Sequence, residues 1–348
     1  MPTFRTATVT SILSERSGLQ RVAVDDERAY VLTQLTGPVA VGDQVIVNTT
    51  AVELGLGTGG WHVVHWNLSL DAWAGPGTGH IMKLRYTSLQ VDTGAAEEHH
   101  PDVASDLDGT PVVVGSLHSQ VPGVAATVRH LRPDATIVYV MTDGAALPMA
   151  LSDLVVAMVT AGLVDATVTA GHAFGGDLEA VNVASALALA VDVLGADVVI
   201  VAMGPGVVGT GTALGTTALE VTDILGSVAA LGGRPIACLR VSDADARARH
   251  RGVSHHTLVA LARTFTPVTI AVPDVVADEE LEAHGVSPAE LRHHHIERVT
   301  PPDVAALLDS HRLHVTTMGR EPAEEPRFFA ACGAAGAAAV AHMRPLRA

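Results

Sequence analysis

The chain has 348 residues, a formal charge of −16, 48% hydrophobic and 17% charged residues, 18 histidines, 2 cysteines and a single lysine. That apolar content can bury a large core and rules out a disordered or fibrous chain, and the length suggests about two domains. The acidic balance, with no basic run anywhere, argues against a protein that tracks nucleic-acid phosphates, because such affinity comes from clustered Lys and Arg.

Residues 1–18 carry Arg5, Glu15 and Arg16 and lack the apolar run of a secretory signal, so none is expected. Mean hydropathy is high at +0.33. Asp192 and Asp197 nevertheless interrupt the longest aliphatic stretch, and 328–341 is too short to span a bilayer, so buried alanine-rich helices are predicted and no membrane association. Cys238 and Cys332 make neither a CxxC motif nor a disulfide framework, which fits a reducing cytoplasm, the expected location.

Short β-prone runs at 8–12, 19–24, 29–32 and 45–47 predict a small β-barrel or sandwich-like domain over residues 1–91. Trp61, Trp66 and Trp73 fall within thirteen positions, with His62 and His65 between them. A role in that domain's core is predicted ahead of an aromatic binding platform. Residues 92–111 hold six acidic residues and no Lys or Arg and read as an acidic connector or surface helix.

From 112 to 315 apolar runs alternate with helical periodicity, which predicts an α/β domain: a doubly wound, mostly parallel, Rossmann-like sheet of about six strands in three layers. The strands are expected at 112–114, 136–141, 166–169, 198–203, 236–241 and 268–272. Helices are expected near 122–131, 150–161, 178–194, 212–231, 255–264 and 302–310. The tail, 316–348, carries an alanine-rich helix with Gly333 and Gly336 at helical spacing. That helix is expected to dock on its own domain, with a homo-oligomer through the same face as the alternative.

Ligands in such sheets bind outside the carboxyl ends of the strands. The loops there hold His118 with Ser116 and Ser119, Asp143 with Gly144, His172 with Asp177, Gly204 with Gly206, and Asp243 with Ser242. Their joint placement predicts a shared cleft. The sharpest feature is the run Arg247-Ala248-Arg249-His250-Arg251-Gly252-Val253-Ser254-His255-His256-Thr257. Ser254 is an N-cap, and Val253 with Leu258 has the spacing of a hydrophobic staple. His255 and His256 then occupy the first helical turn, where the positive dipole end disfavours imidazolium and leaves neutral imidazole for use as a base, donor or ligand. The arginines beside them suit an anion. The competing reading is a capped helix with two solvated histidines.

Gly204, Gly206 and Gly209 make a GxGxxG pattern that continues into Thr210, Gly211 and Thr212, an expected anion loop at a helix N-terminus. The acidic residue that a dinucleotide fold wants about 20 positions later is missing, so no cofactor is assigned. The competing account is close helix–strand packing. Lys83 is the only lysine, either retained for a compact, deprotonable amine or there by chance. His172, Asp177, Glu179 and His255 have metal-ligand chemistry, but their spacing matches no recognised zinc motif. Asp177 reads equally well as the cap of a helix that begins at Leu178, so metal is the minority reading. His293, His294 and His295 read as a solvated surface run.

The stretches 79–90, 171–182, 204–212 and above all 247–257, where Ser254-His255-His256-Thr257 stands beside Arg249-His250, resemble the bacterial family named domain of unknown function 3866. The resemblance covers nearly the whole chain and implies no activity, so no residue role follows from it. The residues themselves support a cytoplasmic enzyme that binds a small anionic or nucleotide-like ligand at the carboxyl edge. His255 or His256 would act as acid/base with His250, Asp243, His172 and His118 in support, and Arg249, Lys83, Asp143, Ser254 and the 204–212 loop would bind the ligand. The alternatives are a non-catalytic ligand-binding or assembly protein using the same cleft, and a metal-dependent hydrolase.

Overall fold

In this computed structural model, which describes residues 1–57, 59–75, 77 and 79–344, the chain forms two compact units, Met1–Gly94 and Ala95–Ala348. Five strands make the first unit: β1 (Phe4–Arg16), β2 (Leu19–Val24), β3 (Glu27–Val31), β4 (Gln44–Asn48) and β5 (Trp61–Asn67). They close into a barrel in the order β1-β2-β3-β5-β4. Irregularities in β1 between Val9 and Ser11 and between Ile12 and Ser14 bend this long strand so that it pairs with both β2 and β4. Alternation turns Val22, Val24, Ala29, Val31, Val45, Val47 and Val64 inward as the core.

The tryptophans do not form that core. Trp61 alternates with buried His62 and Val64, so it lies on the outer face, stacked on Tyr30 at 4.8 Å with the Arg28 guanidinium 4.7 Å from its ring. Two single-turn helices, Thr33–Thr36 and Thr50–Glu53, and a short ribbon, β6 (Met82–Lys83) paired with β7 (Val91–Asp92), also belong to this unit.

The second unit is built on β8 (Pro111–Val114), β9 (Ile137–Thr142), β10 (Ala166–Ala170), β11 (Leu178–Ala180), β12 (Val198–Met203) and β13 (Arg234–Cys238). A two-residue pair follows, β14 (Val241–Ser242) with β15 (Gly252–Val253), and then β16 (Thr269–Pro273) and β17 (His295–Val299). The sheet has eight strands, all parallel, in the order β11-β10-β9-β12-β8-β13-β16-β17. Val112, Val114, Val138, Val140, Val199 and Val201 face one layer, which holds the Glu220–Ala230 and His255–Arg263 helices. Val113, Ile137, Tyr139, Met141, Val198 and Ile200 face the other, with the Val121–Leu131 and Pro326–Ala341 helices. Burial on both faces is why these strands read as continuous apolar runs.

The two strands beyond the expected six are edge elements. Leu178–Ala180 pairs with β10, and its helix begins only at Val183, capped by Asn182 and not by Asp177. His295–Val299 is mostly exposed and polar, which hides its strand character. The neighbouring His294 is buried with Nε2 on the Leu261 carbonyl at 2.9 Å, so the histidine run is not wholly solvated. Residues 95–111 pack onto the second unit: Leu107 is buried in its core and bonds the Leu231 carbonyl. The tail helix docks on its own domain with Phe328, Phe329, Ala331, Cys332, Ala334 and Ala335 buried. Residues 345–348 of the expected tail lie outside the described residues.

Candidate functional site

Beyond the carboxyl end of β13 the chain forms β14, loops outward through 243–251 and returns as β15, with Val241 opposite Val253 and Ser242 opposite Gly252. This excursion brings the turn Ala248–His250 back against the start of the next helix. Ser254 caps that helix, its hydroxyl accepting from the His256 amide at 3.3 Å, and Val253 and Leu258 are both fully buried. The capping chemistry read from the sequence thus fixes where His255 and His256 emerge.

The result is a knot of three buried histidines. His250 is 0% exposed, His255 7% and His256 4%, with ring centroids 4.3 to 5.3 Å apart. One ring nitrogen from each lies within 4.8 Å of the others. His250 Nδ1 contacts the Ser254 hydroxyl at 2.7 Å and His256 Nδ1 the Thr216 hydroxyl at 3.5 Å, whereas the Nε2 atoms of all three rings are buried without a hydrogen-bond partner. Burial, then the Arg240 guanidinium, lowers His250 to about 3; burial, then His255 and Arg240, lowers His256 to about 4. His255 is lowered too, by burial and then by Arg249. All three imidazoles are therefore neutral at pH 7.

The 204–216 loop closes over this knot. A Cβ on Gly209 would lie 3.4 Å from His256 Nε2, and one on Gly211 would lie 3.7 Å from the Arg249 guanidinium. Gly206 and Gly211 adopt φ of +105° and +88°, conformations that only glycine takes readily. The expected helix start does not follow directly: a single turn at Thr217–Leu219 precedes the Glu220–Ala230 helix, so the glycines sit on a loop and not at a helix N-terminus. Thr210 and Thr212 are bonded to each other at 3.0 Å and to Gly215, which engages their hydroxyls within the loop. Arg249 is in no salt bridge among the described residues, and its Nε is buried without a partner. Arg247 is bidentate to Asp245 at 2.8 and 2.9 Å, and Arg251 bonds the Asp245 carbonyl.

The other predicted residues have separate engagements. Both nitrogens of His118 are occupied, by the Tyr139 hydroxyl at 3.1 Å and the Ser152 hydroxyl at 2.7 Å, and burial lowers it to about 4; it is a core histidine. Asp243 pairs with Arg327 at 2.6 Å and its amide bonds Glu325, which ties the loop to the tail helix. His172 donates its backbone amide to Asp143 at 2.9 Å, and a Cβ on Gly171 would collide with that carboxylate at 2.3 Å. Asp177 is held by Thr167, and Glu179 by Thr169 and the Gly175 amide. These bonds span β10 and β11, and His172, Asp177, Glu179 and His255 do not come together as a ligand group among the described residues. Lys83 is buried on β6 and belongs to the Met1–Gly94 unit.

Three site residues escaped the sequence reading. Arg240 and Asp245 form a buried pair at 3.3 Å beside His250, and Arg240 is lowered to about 10, chiefly by burial. An arginine inside the apolar run 236–241 was the available signal. Glu220 takes the Thr142 hydroxyl at 2.7 Å, and burial, reinforced by Asp143 and Asp223, raises it to about 7. Nothing in its local sequence marks it, since its neighbours come from another strand.

Among the described residues no helix is long and apolar enough to cross a membrane. No curated protein and no solved structure matches the chain. Residues 28–336 match a family described as protein of unknown function, DUF3866. That span takes in three of the five barrel strands, β3 from its second residue, and the whole eight-stranded sheet, so the chain belongs to the DUF3866 family.

Proposed function

We propose that the protein is an enzyme acting on a small anionic substrate at the carboxyl edge of its parallel sheet, with the histidine knot supplying the reactive nitrogens. The observation that carries this reading is the clustering of three buried histidine rings, one nitrogen of each within 4.8 Å of the others and every Nε2 without a partner, beside Arg249 and the glycines of the 204–216 loop. Buried polar atoms in native proteins are normally satisfied, and each one left bare costs about 1–3 kcal/mol. Three in one place are typical of a reaction site and not of a packed core.

Arg249, which makes no salt bridge among the described residues, can counter substrate charge, whereas Arg240 and Arg247 are already committed to Asp245. The glycines let the loop backbone approach both the guanidinium and His256 without side chains between. The two buried free cysteines agree with a reducing compartment, and a cytoplasmic location is part of the reading.

The test is equilibrium binding of inorganic phosphate and simple nucleoside phosphates, followed by an activity screen with the binders. Arg249→Gln is expected to weaken binding about 10- to 100-fold, the range of one charge-assisted hydrogen bond. His256→Ala is expected to abolish turnover with affinity largely kept. Binding that ignores Arg249→Gln sinks this placement of the site. Sensitive binding with no turnover on any ligand identifies a sensor instead.

A further inference from the structure

We propose that His250, His255 and His256 bind one divalent transition-metal ion of the zinc class through their Nε2 atoms, leaving a further coordination position open. This inference deepens the reading above and rests on its identification of the knot as the reactive centre.

A single ion would satisfy all three bare nitrogens at once, which no side chain in the surrounding shell does. The opposite edges of two rings are already oriented: Ser254 holds His250 Nδ1 and Thr216 holds His256 Nδ1. A hydroxyl that accepts from Nδ1–H leaves the Nε2 lone pair free, the arrangement by which metal-binding histidines are aimed. Nitrogen ligands about 2.0–2.1 Å from a tetrahedral ion lie roughly 3.4 Å apart. Ring nitrogens within 4.8 Å of one another therefore reach that spacing by small ring rotations.

The donor chemistry selects the ion. Three imidazoles with no carboxylate or thiolate in the set suit zinc, cobalt, nickel or copper and not magnesium or calcium, which require oxygen ligands. Three protein ligands with one open position is the pattern of catalytic zinc sites, where the ion lowers the pKa of its bound water to about 7. The glycine at 209 bears on that position, since a side chain there would cover His256 Nε2.

The electrostatic surroundings are mixed. Arg240, Arg247 and Arg249 face the knot, the exposed His284 ring lies 6.3 Å from His255, and the Asp245 carboxylate opposes the arginines at His250. The arginines oppose a bare dication, so the ion should bind more tightly when an anion, such as hydroxide or phosphate, takes the open position.

The experiment uses the full chain without a polyhistidine tag, stripped by chelator and titrated with Co²⁺ and with Zn²⁺. One equivalent per chain is expected, with visible bands of tetrahedral cobalt and a higher melting temperature. His255→Ala and His256→Ala should each weaken binding by more than the 10- to 100-fold that loss of an orienting partner costs. His295→Ala, at an exposed histidine of the other run, should change nothing.

Absence of stoichiometric binding under metal-replete conditions overturns the proposal, as does binding that survives both knot variants. If those variants fail to fold, the wild-type cobalt spectrum decides, and an octahedral spectrum overturns it. Loss of the metal result with Arg249-dependent phosphate binding intact removes this inference and leaves the proposed function standing. Metal binding without any anion affinity or turnover does the reverse.

Discussion

Glu220 is a carboxyl group whose folded-state pKa is raised, from 4.5 to about 7, mainly by burial. A raised pKa means that the folded state favours the protonated form. Its stabilising contribution is full below about pH 4.5 and is lost as pH rises through about 7, a swing on the order of 3 kcal/mol. Glu220→Gln should therefore match the wild type in denaturant midpoint at pH 4.5 and exceed it at pH 8; equal midpoints at both would refute the assignment. Asp245 behaves in the opposite sense. The Arg247 hydrogen bond holds its carboxyl well below the usual range, so its contribution is present above about pH 4 and is lost only in strong acid. Because Asp245→Ala strands buried Arg240, it should cost about 3–5 kcal/mol at pH 7 in a urea melt. Ser254→Ala removes a helix cap and is expected to cost about 1 kcal/mol. Ser254 was legible in the sequence because capping is local, whereas the pairing of Arg240 with Asp245 needs the β14–β15 excursion.

At the scale of elements, the packing of the Val121–Leu131 helix on the Pro326–Ala341 helix depends on missing side chains. A Cβ on Gly336 would lie 2.8 Å from both Thr127 Cβ and the Val124 carbonyl, and one on Gly123 would lie 2.7 Å from Cys332 Cβ. Gly336→Ala should thus destabilise by about 1–3 kcal/mol, the usual cost of overpacking. Gly226, on the Glu220–Ala230 helix, has nothing within 4 Å of its added Cβ. There Gly226→Ala should stabilise by about 0.5–1 kcal/mol, so the two melting shifts should have opposite signs. The helices at 121–131, 255–263 and 304–310 were readable to within about two residues, because apolar periodicity and caps agree there. The stretch 212–219 was misread as helix: Gly211 and Gly215 sit in an internally bonded loop whose course is set by Thr210, Thr212 and Gly215.

For the molecule as a whole, a charge of −16 surrounds a site proposed to take an anion. The long-range field repels such a ligand while Arg249 attracts it only at contact. Raising ionic strength from about 10 to 150 mM shortens the Debye length from roughly 30 to 8 Å and should speed association. Stopped-flow rates that fall with salt would mean that a cationic basin governs approach. Each unit has its own core, valine-lined inside the barrel and two-faced across the sheet. The order of β-rich and α/β parts and the parallel character of the sheet were determined by the sequence alone, because apolar runs, alternation and caps act over a few residues. The tertiary structure decided what those rules cannot reach. It set aside His118 and Asp243 by giving them internal partners, and it brought Gly209, from the loop after β12, against His256, from the helix after β15. Whether a polar atom is buried and whether it has a partner depend on every element packed around it, so the three bare nitrogens are a property of the fold.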